Sequence, residues 1–361
     1  ADKLDATSFV GVDNLLADKG GRIDATYQPN TARLTAYEPG DILLGNIRPY
    51  LKKVWMAENN GGCSGDVLAI RILADCKKII SPEYLYYALS SDSFFSYSMQ
   101  HAKGAKMPRG SKDAILNYQI PIPCPSAPEK SLAIQSEIVR ILDKFTALTA
   151  ELTAELTMRK KQYNYYRDQL LSFEGGSVEW KSLGEVAIIT IGAFVRKDKQ
   201  NPDADYPVYN GGRTPTGYYE DFNNDGDKII VSARGANAGF VNKSSTPYWA
   251  GNSCYSISVR STEQLHWMYV YYYLKQSETK LTGIQQKGGI PAVSKKQMED
   301  LLLPIPSKSE QVRIVTILDK FDTLTSSITE GLPREIELRQ KQYEYYRDLL
   351  FSFPKPDAVS H

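Results

Sequence analysis

The chain has 361 residues and carries 43 Lys and Arg against 42 Asp and Glu, a formal net charge of +1. At 42% hydrophobic and 11% aromatic it is excluded from the disordered and fibrous classes and suits two or three globular domains. Apolar runs such as Leu301–Leu303 fall far short of the roughly 18 residues that cross a bilayer, and the balanced charge excludes a coat that holds nucleic acid by bulk attraction.

No basic segment followed by an apolar one opens the chain, so a cytoplasmic location is expected. The first residue is Ala, which reads as processing or trimming. Residues 1–125 are rich in Gly, Asn, Pro and Tyr, with short β-like runs at Asp41–Leu44 and Val67–Ile70. A helix is predicted around Pro82–Leu89, followed by a loop from Lys103 to Arg109 and a Pro121-Ile122-Pro123 element. From 126 to 177 the texture changes. Ile138, Ile141, Phe145, Leu148 and Leu152 step by three and four, and Tyr163, Tyr166 and Leu170 continue the stripe. About 40 residues of helix would run roughly 60 Å if unbroken. Residues 178–306 return to the first texture, with β-like runs at Lys228–Val231 and Ser256–Val259 and a helix around Gln264–Leu274. A loop from Gln285 to Pro291 and Pro304-Ile305-Pro306 close that region. A second helical block over 307–353 places Ile314, Ile317, Phe321, Leu324 and Ile328 in one stripe, with Tyr343, Tyr346 and Leu350 after them. Gly331 and Pro333 should break or kink it. Residues 354–361 form a tail.

The chain repeats itself. Residues 160–173 (KKQYNYYRDQLLSF) and 340–353 (QKQYEYYRDLLFSF) agree at ten of fourteen positions, and ILDKF occurs at 141–145 and 317–321. A period of about 180 residues is too long for a solenoid and fits two duplicated domain-plus-helix halves. Helices this long find their economical partner in each other, as a two-helix coiled coil. The helical parts are nearly identical while the domains before them have diverged, which reads as one scaffold carrying two different readers.

No catalytic constellation stands out. Cys63, Cys76, Cys124 and Cys254 are scattered, and His101, His266 and His361 do not cluster, so free thiols and no metal site are expected. Phosphate-loop and dinucleotide fingerprints and an amino-methyltransferase tetrapeptide are missing. Asp75-Cys76-Lys77 supplies part of a nuclease motif without its Pro-Asp partner.

With the two ILDKF segments, the Lys161–Phe173 and Lys341–Phe353 blocks, the Leu183–Val186 opening and the Gly226–Gly235 run, the whole chain resembles the specificity subunits of type I restriction–modification enzymes. The resemblance implies an α+β fold: two target-recognition domains alternating with two long helices that pair as an antiparallel coiled coil. It implies a non-catalytic protein that reads a split, asymmetric double-stranded DNA site and docks two methyltransferase subunits, joined by restriction subunits in the full complex. S-adenosylmethionine, ATP and Mg would lie on those partners, and no cofactor or membrane contact is expected of this chain. The second domain opens with Trp180-Lys181-Ser182-Leu183-Gly184-Glu185-Val186, and the first has no such opening before Gly40-Asp41, so its N-terminal edge is expected to be missing or differently built. A DNA-modifying enzyme with an unfamiliar active site, or a coiled-coil adaptor indifferent to DNA, are the alternatives.

Base readout needs bidentate donors or acceptors on loops that enter a groove. In the first domain Arg48, Lys52 and Lys53 with Tyr50, and Lys103, Lys106 and Arg109, are the candidates. In the second they are Asn210, Arg213, Thr214, Arg234, Asn237, Gln285, Gln286 and Lys287. Arg48 and Arg234 are expected at equivalent positions after their strands, in a shared phosphate or structural role. For subunit docking the candidates are Tyr163, Tyr165, Tyr166 and Arg167, with Tyr343, Tyr345, Tyr346 and Arg347, since Tyr and Arg are enriched at interfaces. Plain coiled-coil packing with a solvated Arg-Asp pair is the competing explanation.

Overall fold

The computed structural model describes residues 4–30, 33–174, 176–284 and 289–354. The chain divides into two compact units, Ala1–Thr153 with Glu335–His361, and Ala154–Arg334. Each therefore combines a mixed domain with two helical pieces taken from different parts of the sequence.

In the first unit a three-stranded antiparallel sheet runs in the order Val54–Met56, Ile42–Gly45, Val67–Ile70. Ile42 and Leu44 lie on one face, against Leu85, Leu89, Phe94 and Ile115 of the helices Pro82–Leu89, Asp92–Gln100 and Lys112–Leu116. Leu43 lies on the other face with Val10, Tyr37 and Cys63, over a small sheet of Phe9–Val10, Gly61–Cys63 and Thr35–Tyr37. A strand covered on both faces has no use for alternation, which is why Ile42-Leu43-Leu44 is apolar throughout. Ser81, Ser91 and Ser111 cap the three helices by accepting from Tyr84, Phe94 and Ala114 amides.

The second unit repeats this plan with a strand more, in the order Val241–Ser244, Lys228–Ser232, Cys254–Val259, Ala187–Ile191. Ile229 and Val231 join the large core beneath the helix Trp267–Gln276, and Ile230 packs with Tyr248 and Cys254 on the opposite face. A further pair, Glu179–Ser182 with Leu302–Ile305, brackets the domain.

Pro128–Leu170 is one helix, whereas its duplicate is two, Lys308–Ser326 and Leu332–Leu350. The break falls where Gly331 and Pro333 foretell it. Gly331 has φ +87°, and a Cβ there would stand 2.3 Å from the Thr323 carbonyl oxygen, a backbone atom with little room to move. Gly331→Ala should cost about 1–3 kcal/mol, read as a lowered denaturation midpoint.

The helical pieces pair antiparallel inside each unit through the same contact. Phe145 stacks on Tyr346 with ring centroids 5.5 Å apart, and Phe321 stacks on Tyr166 at 5.8 Å, both at an interplanar angle of 25°. The duplication extends to the seat of each domain on its helix. Tyr84 donates to the Pro121 carbonyl at 2.7 Å, and Tyr269 to that of Pro304 at 2.8 Å. Gln135, fully buried, accepts from the Ser81 amide at 3.0 Å and donates to the Ile79 carbonyl at 2.7 Å. Gln311, equally buried, accepts from the His266 amide at 2.8 Å and donates to Gln264 at 3.0 Å. Tyr87 and Tyr272 donate to Asp143 and Asp319, the Asp of each ILDKF segment. Burial, reinforced by those carboxylates, pushes both phenols far above their ordinary range, so the hydroxyls stay neutral donors.

All four cysteines are free. Burial pushes the Cys63 thiol up to about 11 and Cys254 to about 12, so neither is a reactive thiolate at neutral pH. Among the described residues no cluster of His, Cys, Asp or Glu could hold a metal, and no helix is long and apolar enough to cross a membrane.

Candidate nucleic-acid interface

In the first unit two loops at one end of the sheet are joined by their backbones. The Arg48 amide donates to Pro108 at 2.7 Å, and the Gly110 amide to Asn46 at 2.9 Å. Lys103 and Arg109 close the second loop on each other with amide bonds of 2.9 and 2.8 Å. Gly104 makes the turn at φ +103°, leaving Lys106 and Met107 exposed at the tip. Arg48, Lys103, Lys106 and Arg109 thus share one exposed surface, with Tyr50 about half exposed beside Arg48. Arg109 is held by Asp66 at 2.6 Å.

Lys52 and Lys53 do not belong to this group. Lys52 pairs with Asp92 at 2.6 Å, and Lys53 donates to the Val12 carbonyl at 2.8 Å, so both ammonium groups brace the loop. The Lys52 partner is shared. Asp92 also lies 3.5 Å from Arg347 of the C-terminal helix.

In the second unit three loops converge at the corresponding sheet end. Arg213 donates to Asn237 at 3.2 Å and lies over the Phe240 ring at 5.3 Å, tying the 210–214 loop to the 233–239 loop. Gly235 donates to Pro291 at 2.9 Å, and Val293 to Ala233 at 2.9 Å, adding the third. Arg234 and Thr214 are exposed there. Asn210 is occupied inside the turn, accepting from the Ser253 amide at 3.3 Å. Gln285, Gln286 and Lys287 lie outside the described residues.

The ladder corrects the expected equivalence of Arg48 and Arg234. Gly45 pairs with Val67 as Ser232 pairs with Cys254, and Arg48 bonds Pro108 as Gly235 bonds Pro291. Arg48 therefore corresponds to Gly235, and Arg234 to Ile47. Likewise Lys52 corresponds to Gly239: Gly45 donates to Lys53 as Ser232 donates to Phe240. Arg48 and Lys52 hold left-handed backbones, φ 52° and 53°, where the second unit uses glycines at φ +95° and +93°. A non-glycine residue in that region costs roughly 1–2 kcal/mol, so the first unit accepts backbone strain to place Arg48 on the exposed surface and Lys52 against Asp92.

Sequence reasoning missed Phe194. It is 69% exposed and follows the strand Ala187–Ile191, whose end lies beside Cys254 at the same end of the sheet as Arg234. Arg196, Lys197 and Lys199 come directly after it. The sequence signal is an aromatic followed by cations, a stacking-plus-phosphate pattern, of which Arg196 is paired with Asp198 at 2.5 Å.

On the helices, Tyr165 and Tyr345 are exposed at 61% and 64%. Tyr163 and Tyr343 turn inward, where burial pushes each phenol up to about 12. Tyr166 and Tyr346 divide their rings between the Phe stacks and solvent. Arg167 pairs with Asp168 at 2.9 Å and is mostly covered. Arg347 is a correction: it is fully buried between Asp348, Asp92 and the Tyr343 ring, and is not part of an open docking face. Its companion differs because Asp92 in the first unit supplies a carboxylate that reaches it.

Two diverged loop clusters, each set on a repeated helical seat, are the arrangement of a protein that reads two different surfaces with one scaffold. The type I restriction modification DNA specificity domain family matches residues 40–158 and 177–338. The chain belongs to this family. It is 49% identical over 284 residues to the EcoR124I/EcoR124II type I restriction enzyme specificity subunit of Escherichia coli, covering 68% of this chain and 67% of that one. It is 42% identical over 228 residues to the EcoprrI specificity subunit of Escherichia coli, covering 60% of this chain and 56% of that one. The crystal structure of a type I restriction–modification S subunit from M. genitalium shares the fold, with a TM-score of 0.61 at 16% identity over 97% of this chain and 89% of that one. So does a chain from a structure described as underlying complex assembly and conformational transition of the type I system, with a TM-score of 0.57 at 21% identity over 95% and 90%.

Proposed function

We propose that this chain is the DNA-specificity subunit of a type I restriction–modification complex, in which each unit reads one half of a split duplex site and the helices dock two methyltransferase subunits. The observation that carries the reading is the repeated seat: identical Tyr, Gln and Asp contacts hold two domains whose exposed loops differ. A net charge of +1 leaves affinity to local clusters, and Arg48, Lys103, Lys106 and Arg109 supply one such cluster. Exposed Tyr165 and Tyr345 are the helix residues best placed to meet a methyltransferase subunit. The chain itself is non-catalytic and works in the cytoplasm. S-adenosylmethionine, ATP and Mg belong to the methyltransferase and restriction partners.

Methylation mapping in cells that carry this chain with its partner subunits tests the reading. One bipartite motif should be modified, and none without the chain. The isolated chain should neither methylate nor cleave DNA; either activity would favour the modifying-enzyme alternative. Equal competition by random duplex would favour the adaptor. Within the complex, Arg109→Ala or Arg234→Ala should weaken specific binding by about 1–3 kcal/mol if a base contact is lost, and should flatten the salt dependence if the contact is to phosphate. Unchanged affinity and salt slope in both variants would move the interface elsewhere.

A further inference from the structure

The first unit fastens its Arg48 loop to the C-terminal helix, and the second unit braces the matching loop in another way. The turn Pro49–Leu51 is flanked by Arg48 and Lys52, both with left-handed backbones. A loop strained at both ends keeps its shape only through what over-determines it. Lys52 pairs with one oxygen of Asp92 at 2.6 Å, and the other oxygen lies 3.5 Å from Arg347. The Asp18 and Lys19 amides donate to the Leu51 and Lys52 carbonyls, each at 2.9 Å, and the Lys19 ammonium lies over the Tyr343 ring at 5.8 Å. Two routes thus run from this loop to the helix Leu332–Leu350.

In the second unit Glu278 follows the cap residue Ser277 as Asp92 follows Ser91, so the two carboxylates correspond. Glu278 is turned into its own domain, where it accepts from Lys275 at 2.6 Å and from the Val241 amide at 3.1 Å. Lys275 in turn lies over the Phe240 ring at 4.0 Å, beside the loop that carries Arg234. Gly239 stands where Lys52 stands and offers no side chain to the carboxylate. Arg167, the counterpart of Arg347, pairs with its neighbour Asp168 and keeps part of its surface in solvent. One loop is therefore held inside its domain and the other against a helix.

We infer that Lys52, Asp92 and Arg347 are positioning residues for the first half-site alone, and that they couple the reading of that half to the C-terminal helix. Arg347 is fully buried, and its Nη1 has no hydrogen-bond partner, so the Asp92 and Asp348 carboxylates are what hold its charge. Parting a buried charge from its partner costs more than moving the two together, so a shift of Arg347 carries Asp92 and, through it, Lys52 and the Arg48 turn. Two residues before Arg347 on the same helix stands exposed Tyr345, the side chain best placed to meet a methyltransferase subunit. Docking there biases the Arg48 loop, and by linkage the first half-site biases the docking. The inference rests on the DNA-specificity reading and adds to it a regulation that one half-site has and the other lacks.

The test uses the full chain in complex with its methyltransferase subunits and duplexes that carry the mapped motif, intact or with one base pair changed in either half. The first unit's half is the one that survives exchange of residues 178–306. Lys52→Gly and Asp92→Asn should each lose about tenfold of the discrimination in that half and leave the other half unchanged, and together they should lose no more than either alone. Lys52→Arg, which keeps a cation for Asp92, should discriminate as the parent does. Glycine relieves the left-handed strain at this position, so Lys52→Gly should fold, and an unlowered denaturation midpoint separates lost positioning from lost structure. Binding of the intact duplex should slow exchange of the Phe351 amide, which donates to the Arg347 carbonyl, about fivefold in the parent and not at all in Lys52→Gly. Variants that discriminate like the parent, equal losses in both halves, or a Phe351 amide indifferent to DNA in the parent would overturn the inference alone. A parent complex that discriminates in neither half overturns the DNA-specificity reading, and the inference with it.

Discussion

Replacing residues 178–306 with the corresponding domain of a relative that reads a different sequence should change one half of the methylated motif and leave the other half and the gap untouched. The seat explains why the exchange should fold. What the helices require of a domain is small: a Tyr hydroxyl for the Pro304 carbonyl, backbone groups around His266 for buried Gln311, and a second Tyr for Asp319. The first domain meets the same requirements at Pro121, Gln135 and Asp143 with Tyr84, the 79–81 backbone and Tyr87. A relative with those groups in place brings its own loops without disturbing the Phe321–Tyr166 stack. Because Gln311 is fully buried, a domain that leaves its amide unpaired would lose about 1–3 kcal/mol per unsatisfied group. Misfolding would then show as lost solubility, not as altered specificity. Methylation mapping gives the answer: a motif altered in both halves defeats the two-reader arrangement.

Much of the fold was legible in the sequence because it rests on period and repetition. Residues at three- and four-step spacing make the long helix, the Gly331 and Pro333 pair ends its duplicate, and the apolar run Ile42-Leu43-Leu44 makes a strand covered on both faces. The helix Asp92–Gln100 was not legible, since its Ser-rich sequence carries only a short apolar face. The site was read less well, for reasons of partnership. Lys52 and Lys53 look like free cations until Asp92 and the Val12 carbonyl are placed beside them. Arg167 and Arg347 sit in nearly the same hexapeptide, yet only Arg347 meets a carboxylate from its own domain and is buried. The one-residue offset between Arg48 and Arg234 is hidden by the two Gly-Asp pairs, which align by eye. Gly226 and Asp227 both hold positive φ, 103° and 50°, whereas in the matching turn of the first unit only Gly40 does, and the strand that follows, Lys228–Ser232, is one residue longer than Ile42–Gly45.

Inserting a third Thr-Ala-Glu-Leu after Leu156 should preserve both recognised half-sequences and widen the unread gap between them by one or two base pairs. Thr149-Ala150-Glu151-Leu152 is followed directly by Thr153-Ala154-Glu155-Leu156, and the helix Pro128–Leu170 passes through both copies of this tandem without a break. Leu152 and Leu156 are half-buried, and Thr153 and Ala154 between them are exposed, so the repeat keeps its Leu residues on one stripe. Four residues rotate a helix by about 400° and raise it by about 6 Å, so an added unit shifts the rest of the helix along its axis with little change of face. On duplex DNA 6 Å is between one and two steps of roughly 3.4 Å. Between ILDKF and KQY the first helix has four residues fewer than its counterpart, where the longer stretch includes the break between Lys308–Ser326 and Leu332–Leu350. Ala, Glu and Leu are strong helix formers, and the Arg159–Glu155 pair at 3.0 Å shows the local i,i+4 support such a stretch provides. Deleting one unit should shorten the gap or abolish activity. Were the tandem merely a permissive helical stretch, the insertion variant would stay active and methylate the original motif. An active variant with an unaltered gap therefore removes the helix from any part in setting the distance between half-sites.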